Sequence, residues 1–101
     1  MTPDLARYAA MRTDVLNRIR RMLVVGLKLN CSPEDIDPDT SLFGTGLGID
    51  SVDALEIVIG LDVEFGVKLT DPQRRIQAMR SVNALVDFVL AHSSEVPRVR
   101  D

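Results

Sequence analysis

The chain of 101 residues is long enough for one domain with a single buried core, without disulfides or a metal. Apolar residues make up 46% with no Trp and few aromatics, so the core should consist of Leu, Ile, Val and Met, and no apolar run approaches the length of a membrane span. The net charge of −3 is segregated: Arg7, Arg12, Arg18, Arg20, Arg21 and Lys28 outnumber Asp4 and Asp14 up to Cys31, whereas acids dominate from Glu34 to Asp71 with Lys68 as the one base, a block that repels nucleic acid and attracts a basic protein surface.

Met1-Thr2-Pro3-Asp4 lacks the basic start and apolar stretch of a signal peptide, and the lone Cys31 fits a reducing compartment, so we expect a cytoplasmic chain with no cysteine-based metal site. Thr2, Pro3 and Asp4 also read as a helix start: a capping hydroxyl, proline at the first helical position and an acid in the first turn. Leu5, Tyr8, Ala9, Val15, Leu16, Ile19, Met22, Leu23 and Gly26 follow at spacings of three and four, which predicts one buried helical face running to about Leu27 or Leu29. Thr13-Asp14 offers a second start within it, and the arginines, mainly off the apolar stripe, should form a solvated face.

From Asn30 through Leu47 the composition is that of a long connection. Pro33 and Pro38 break regular structure, while Ser32, Asp37, Asp39, Thr40 and Ser41 supply local caps and turns. Ile36, Leu42, Phe43 and Leu47 should pin this loop to the core. Gly44, Gly46 and Gly48 permit tight backbone geometry, but without a preceding strand or a following Lys-Ser/Thr they are no nucleotide-binding loop.

The next helix is expected from Ser51 or Val52 to about Phe65. Ala54, Ile57, Val58, Leu61 and Phe65 share its core side, and Val52, Ile59 and Val63 lie on a second arc beside Glu56, to be covered by the loop or shown to a partner. Gly66 is a natural stop in the left-handed cap position. Thr70-Asp71-Pro72 starts a short helix to about Met79, and Ser81 caps a last one with Val82, Leu85, Val86, Val89 and Leu90 as its buried stripe and Phe88 at the edge. His92, near its end, is remote from any cluster that would make it a ligand. The expected fold is all-α: a small bundle of three main helices plus one short helix, with a long loop between helices one and two. Residues 1–93 should form one domain and 94–101 a frayed tail.

Ser51 is the residue of greatest chemical interest. Between Asp50 and Asp53, at a loop-to-helix junction, it reads as a helix cap or, since a helix N-terminus favours anions, as a residue that can bear a phosphate. Catalysis is a poor alternative. The chain has one histidine, distant in sequence, and a serine nucleophile needs an oriented base and an oxyanion hole.

Leu47-Gly48-Ile49-Asp50-Ser51-Val52-Asp53-Ala54-Leu55-Glu56-Ile57-Val58, followed by an acidic helix ending in Glu64-Phe65-Gly66-Val67, resembles the phosphopantetheine attachment site of acyl carrier proteins, and the similarity extends from about Val15 to Leu90. The resemblance implies that Ser51 takes 4'-phosphopantetheine from coenzyme A through a phosphopantetheinyl transferase, with Asp50 helping to engage that enzyme, and holds acyl groups as thioesters. It also implies that Val52, Asp53, Glu56, Ile59 and Val63 meet partner enzymes, namely acyl-loading, elongating and acyltransferase enzymes with basic surfaces, and that the chain is a monomeric carrier and no enzyme. A cavity between the helices should shelter part of the cargo, with Leu55, Val58 and Ile59 as lining. This chain departs from the usual pattern in Val52, where leucine is commonest, in Gln73, Arg74 and Arg75, where fatty-acid carriers are acidic, and in its arginine-rich first helix. These departures suggest a specialised lipid or polyketide-like pathway. An aminoacyl or peptidyl carrier, and an unmodified helical interaction module, are the competing readings.

Overall fold

A computed structural model of the chain describes residues 3–43 and 48–92. Its helices are α1 (Pro3–Gly26), α2 (Ser51–Phe65), α3 (Pro72–Ala78) and α4 (Val82–His92), with a single 3₁₀ turn over Pro33–Asp35 in the connection after α1. Among the described residues no strand forms, and the one extended pairing is an isolated bridge between Ser41 and Ser81. The expected cap at Thr2, Gly44, Gly46, Leu47 and the expected tail at 94–101 lie outside the described residues.

Local chemistry sets the helix ends. Thr13 does not restart α1, because its hydroxyl donates back to the Ala9 carbonyl at 3.0 Å and the helix runs through. The helix ends earlier than its apolar periodicity suggests: Lys28 adopts a left-handed φ of 54°, and the Leu29 N–H donates to Val24 O at 3.0 Å, closing the turn. Gly66 ends α2 at φ 68°, a value glycine adopts without strain. Asp71 caps α3 through the Gln73 N–H at 2.9 Å, and the Ser81 hydroxyl caps α4 through the Ala84 N–H at 3.1 Å.

The core is aliphatic. Val15, Ile19 and Leu23 of α1 meet Ile57, Leu61 and Phe65 of α2 and Val82, Leu85, Val86 and Val89 of α4, with Ile36, Leu42 and Ile49 brought in by the connection. Leu5 and Ala9, expected on the buried face, are exposed. α1 has 24 residues and α4 only 11, so the bundle covers α1 only from about Met11 onward. Phe43, expected as a pin, is 38% exposed and lies outside the buried core. At Gly60 a Cβ would stand 2.8 Å from Met22 Sδ, so glycine there lets α1 and α2 close over the methionine.

The arginines of α1 are not a free solvated face. Arg12 pairs with Asp87 of α4 and donates to Asn83 Oδ1 at 3.0 Å. Burial works against its charge, and Asp87 with Tyr8 more than offset that, so its pKa lies above the ordinary arginine value. Arg18 pairs with Glu64 at 2.8 Å, donates to the Glu64 carbonyl at 3.0 Å and lies over the Phe65 ring at 4.5 Å, which clamps the end of α2. Arg20 donates to the Ile36 carbonyl at 3.0 Å and fastens the long connection. Asn83 adds a second fastening: its N–H reaches Pro38 O at 2.8 Å and its amide reaches Asp39 at 2.7 Å.

Candidate functional site

The approach to α2 is fixed before the helix begins. Gly48 turns the chain at φ 68°, and buried Ile49 then donates its N–H to Leu42 O at 2.9 Å. Asp50 follows with extended backbone and caps α2, its carboxylate accepting the Asp53 N–H at 2.9 Å while Asp53 accepts the Asp50 N–H at 3.5 Å. The cap therefore belongs to Asp50, and the expectation that Ser51 fills it is corrected. Ser51 is the first helical residue, exposed, and its hydroxyl takes part in no hydrogen bond among the described residues.

That position suits a phosphodiester. The amides of Ser51 and Val52, at the start of the helix, have no intrahelical acceptor, and the positive end of the α2 dipole lies beside them. Two carboxylates stand close by, but exposed charges interact through water at roughly 1 kcal/mol for a 4 Å separation, and salt reduces this further. Among the described residues, no base is oriented on the Ser51 hydroxyl. Asp50 and Asp53 are engaged with backbone amides, and His92 stacks on Phe88 at 4.4 Å near the end of α4.

Behind Ser51, the outer face of α2 is apolar and solvent-facing. Val52, Ile59 and Val63 are 68%, 58% and 79% exposed, with Glu56 exposed between them and Asp53 half-buried at the helix start. Leu55 joins this outer stripe, whereas Val58 is half-buried against the core. Ile59 alone of the three expected cargo-lining residues borders the α1–α2 cleft, a space of about 220 Å³ that it shares with Met22, Leu27, Gly60 and Val63. The acidic block is narrower than its sequence suggests. Lys68 pairs with Asp62 at 2.9 Å and Arg18 takes Glu64, which leaves Asp50, Asp53 and Glu56 to set the charge around Ser51.

Sequence reasoning missed a second space. A cleft of about 450 Å³ opens between the Ser41–Phe43 segment and α3, lined by Ser41, Phe43, Arg75, Ile76, Met79 and Arg80. Its one signal in the sequence was the unusual basic character of α3, but only the return of the connection over that helix creates the space.

Comparison with known proteins agrees with this geometry. The family described as Phosphopantetheine attachment site matches residues 17–89. The acyl carrier protein of Thermosynechococcus vestitus is 28% identical over 78 residues, covering 77% of this chain and 90% of that one. Acyl carrier protein 2, mitochondrial, of Arabidopsis thaliana is 30% identical over 81 residues, 80% of this chain and 60% of its own. The mitochondrial acyl carrier protein of Neurospora crassa is 30% identical over 99 residues, 88% of this chain and 71% of its own. No solved structure matches. With the exposed serine at a capped helix start, the chain belongs to the phosphopantetheine attachment site family as an acyl carrier protein, one that bears covalent 4'-phosphopantetheine and is a carrier, not a catalyst.

Proposed function

We propose that Ser51 is the residue that bears the 4'-phosphopantetheine, and that the arm's terminal thiol carries acyl intermediates between enzymes of a dedicated lipid or polyketide-like pathway. The observation that carries the assignment is the division of labour at the start of α2. Asp50 takes over the capping role, which leaves the Ser51 hydroxyl exposed and uncommitted at the positive end of the helix. In this reading residues 1–93 act as one monomeric carrier domain. A cytoplasmic location fits Cys31, which is exposed and unpaired, as a reducing compartment permits.

Visiting enzymes, the transferase first, would meet Val52, Asp53, Glu56, Ile59 and Val63. These residues combine exposed apolar area with negative charge, so basic partners are steered in by the field and then held by a small apolar contact. Weak binding of that kind suits a shuttle. The reading is tested by incubating the purified chain with coenzyme A and a broad-specificity transferase and measuring its intact mass. The wild type should gain one phosphopantetheinyl group, Ser51→Ala none, and Val52→Asp the same group more slowly. A wild type that stays unmodified, or a Ser51→Ala chain that still gains the mass, overturns the assignment.

A further inference from the structure

The cleft between the Ser41–Phe43 segment and α3 has an unusual pair of features. Its walls include Phe43 and Ile76, 38% and 71% exposed, with fully buried Met79 beside them. Arg75 and Arg80 also line it, and neither pairs with an acid among the described residues. Arg75 is half-buried, and its Nε is buried with no hydrogen-bond partner. A buried charged donor left unpaired is unfavourable until an acceptor arrives, and the rest of a net-acidic chain supplies none at this point. An apolar cleft with two uncommitted guanidinium groups suits a ligand with an apolar body and an anionic end.

The backbone ties the wall of that cleft to the start of α2. Ile49 N–H is bonded to Leu42 O at 2.9 Å, and Leu42 lies between Ser41 and Phe43 of the cleft wall. Ser51 follows two residues later, within about 7 Å of Ile49 from Cα to Cα. A phosphopantetheine arm on Ser51 spans more than this two-residue step together with the Ile49–Leu42 hydrogen bond that joins it to the cleft wall.

We infer that this cleft receives the far end of the tethered cargo and favours acyl chains that end in a carboxylate, such as half-thioesters of dicarboxylic acids, over plain fatty acyl chains. The methylene run would lie against Phe43, Ile76 and Met79, and the terminal carboxylate would accept from Arg75 and Arg80. This rests on the reading of Ser51 as the tether.

The test charges the chain, from the matching coenzyme A thioesters, with an octanoyl group or with a suberoyl group of the same length that ends in a carboxylate. Intact mass establishes the loading at Ser51. NMR then follows the Arg75 Nε–H and the methyl groups of Ile76 and Met79, and thermal melting follows stability. Suberoyl should shift the Arg75 Nε–H where octanoyl does not, and should raise Tm by about 4 °C over octanoyl. Both differences should vanish in the Arg75→Gln/Arg80→Gln chain, which should still accept both cargoes. Equal responses to the two cargoes, or a difference that survives the double substitution, overturn the inference. Ile76 shifts that grow with protein concentration in the uncharged holo chain assign the cleft to a second copy, and also overturn it. Should Ser51 take no cargo, the tether reading fails by itself. The cleft is then tested with free monomethyl suberate on the unmodified chain, where an unmoved Arg75 Nε–H overturns the inference.

Discussion

At the scale of single residues, the helix start shows how capping and modification are kept apart. If Ser51 were the cap, the residue three positions on would be Ala54, which has no group to return a bond. With Asp50 as the cap, that residue is Asp53, and the box closes. This spacing is present in the sequence, yet the adjacent serine is an equally acceptable cap type and obscures it. Stability should therefore separate the two residues. Asp50→Ala should cost about 1 kcal/mol, a drop of roughly 4–8 °C in Tm for a domain of this size, whereas Ser51→Ala should stay within about 0.5 kcal/mol. Urea and thermal melts of the two unmodified variants check this, and a Ser51→Ala chain as unstable as Asp50→Ala would return the cap to the serine.

Between elements, the arginines of α1 hold the bundle at points the hydrophobic pattern does not mark. Periodicity shows which residues share a face, and it placed Val15, Ile19 and Leu23 correctly. It does not show how far a neighbouring helix reaches, which is why Leu5 and Ala9 were expected inside and lie outside. Nor does it reveal that Arg18, apart from the apolar stripe, reaches across to Glu64 and Phe65. An exposed ion pair contributes little, but here the guanidinium also bonds a main-chain carbonyl and covers a ring. Arg18→Ala should lower unfolding free energy by about 1–2 kcal/mol, and Arg18→Lys should restore only part of it, because an ammonium lacks the planar fork. Denaturant melts measure both, and a neutral Arg18→Ala would show the clamp to be ornamental.

For the molecule as a whole, the four-helix architecture was legible because each helix carries its own start, stripe and stop within a few residues. The joining of distant segments was not, since the Ser41–Ser81 bridge, the Asn83 fastening and the α3 cleft depend on pairings that local chemistry does not specify. The charge pattern has a similar split. Negative charge gathers around Ser51 at the start of α2, while α3 and the turn after it present Arg74, Arg75 and Arg80, so a partner adapted to a uniformly acidic carrier would meet repulsion on one side. A strain lacking its housekeeping acyl carrier protein should accordingly recover poorly when given this chain, and growth equal to that with the housekeeping carrier would overturn the specialised role. The α1–α2 seam has a further consequence. Met22 is half-buried, with its sulfur close to the place a side chain on residue 60 would fill. Oxidation to the sulfoxide would set a polar oxygen in that tight seam, and either the helices part or the methionine swings into water. One oxidant-sensitive point of this fold is thus a thioether inside the helix pair that supports Ser51, whereas Cys31 is exposed and lies outside the core.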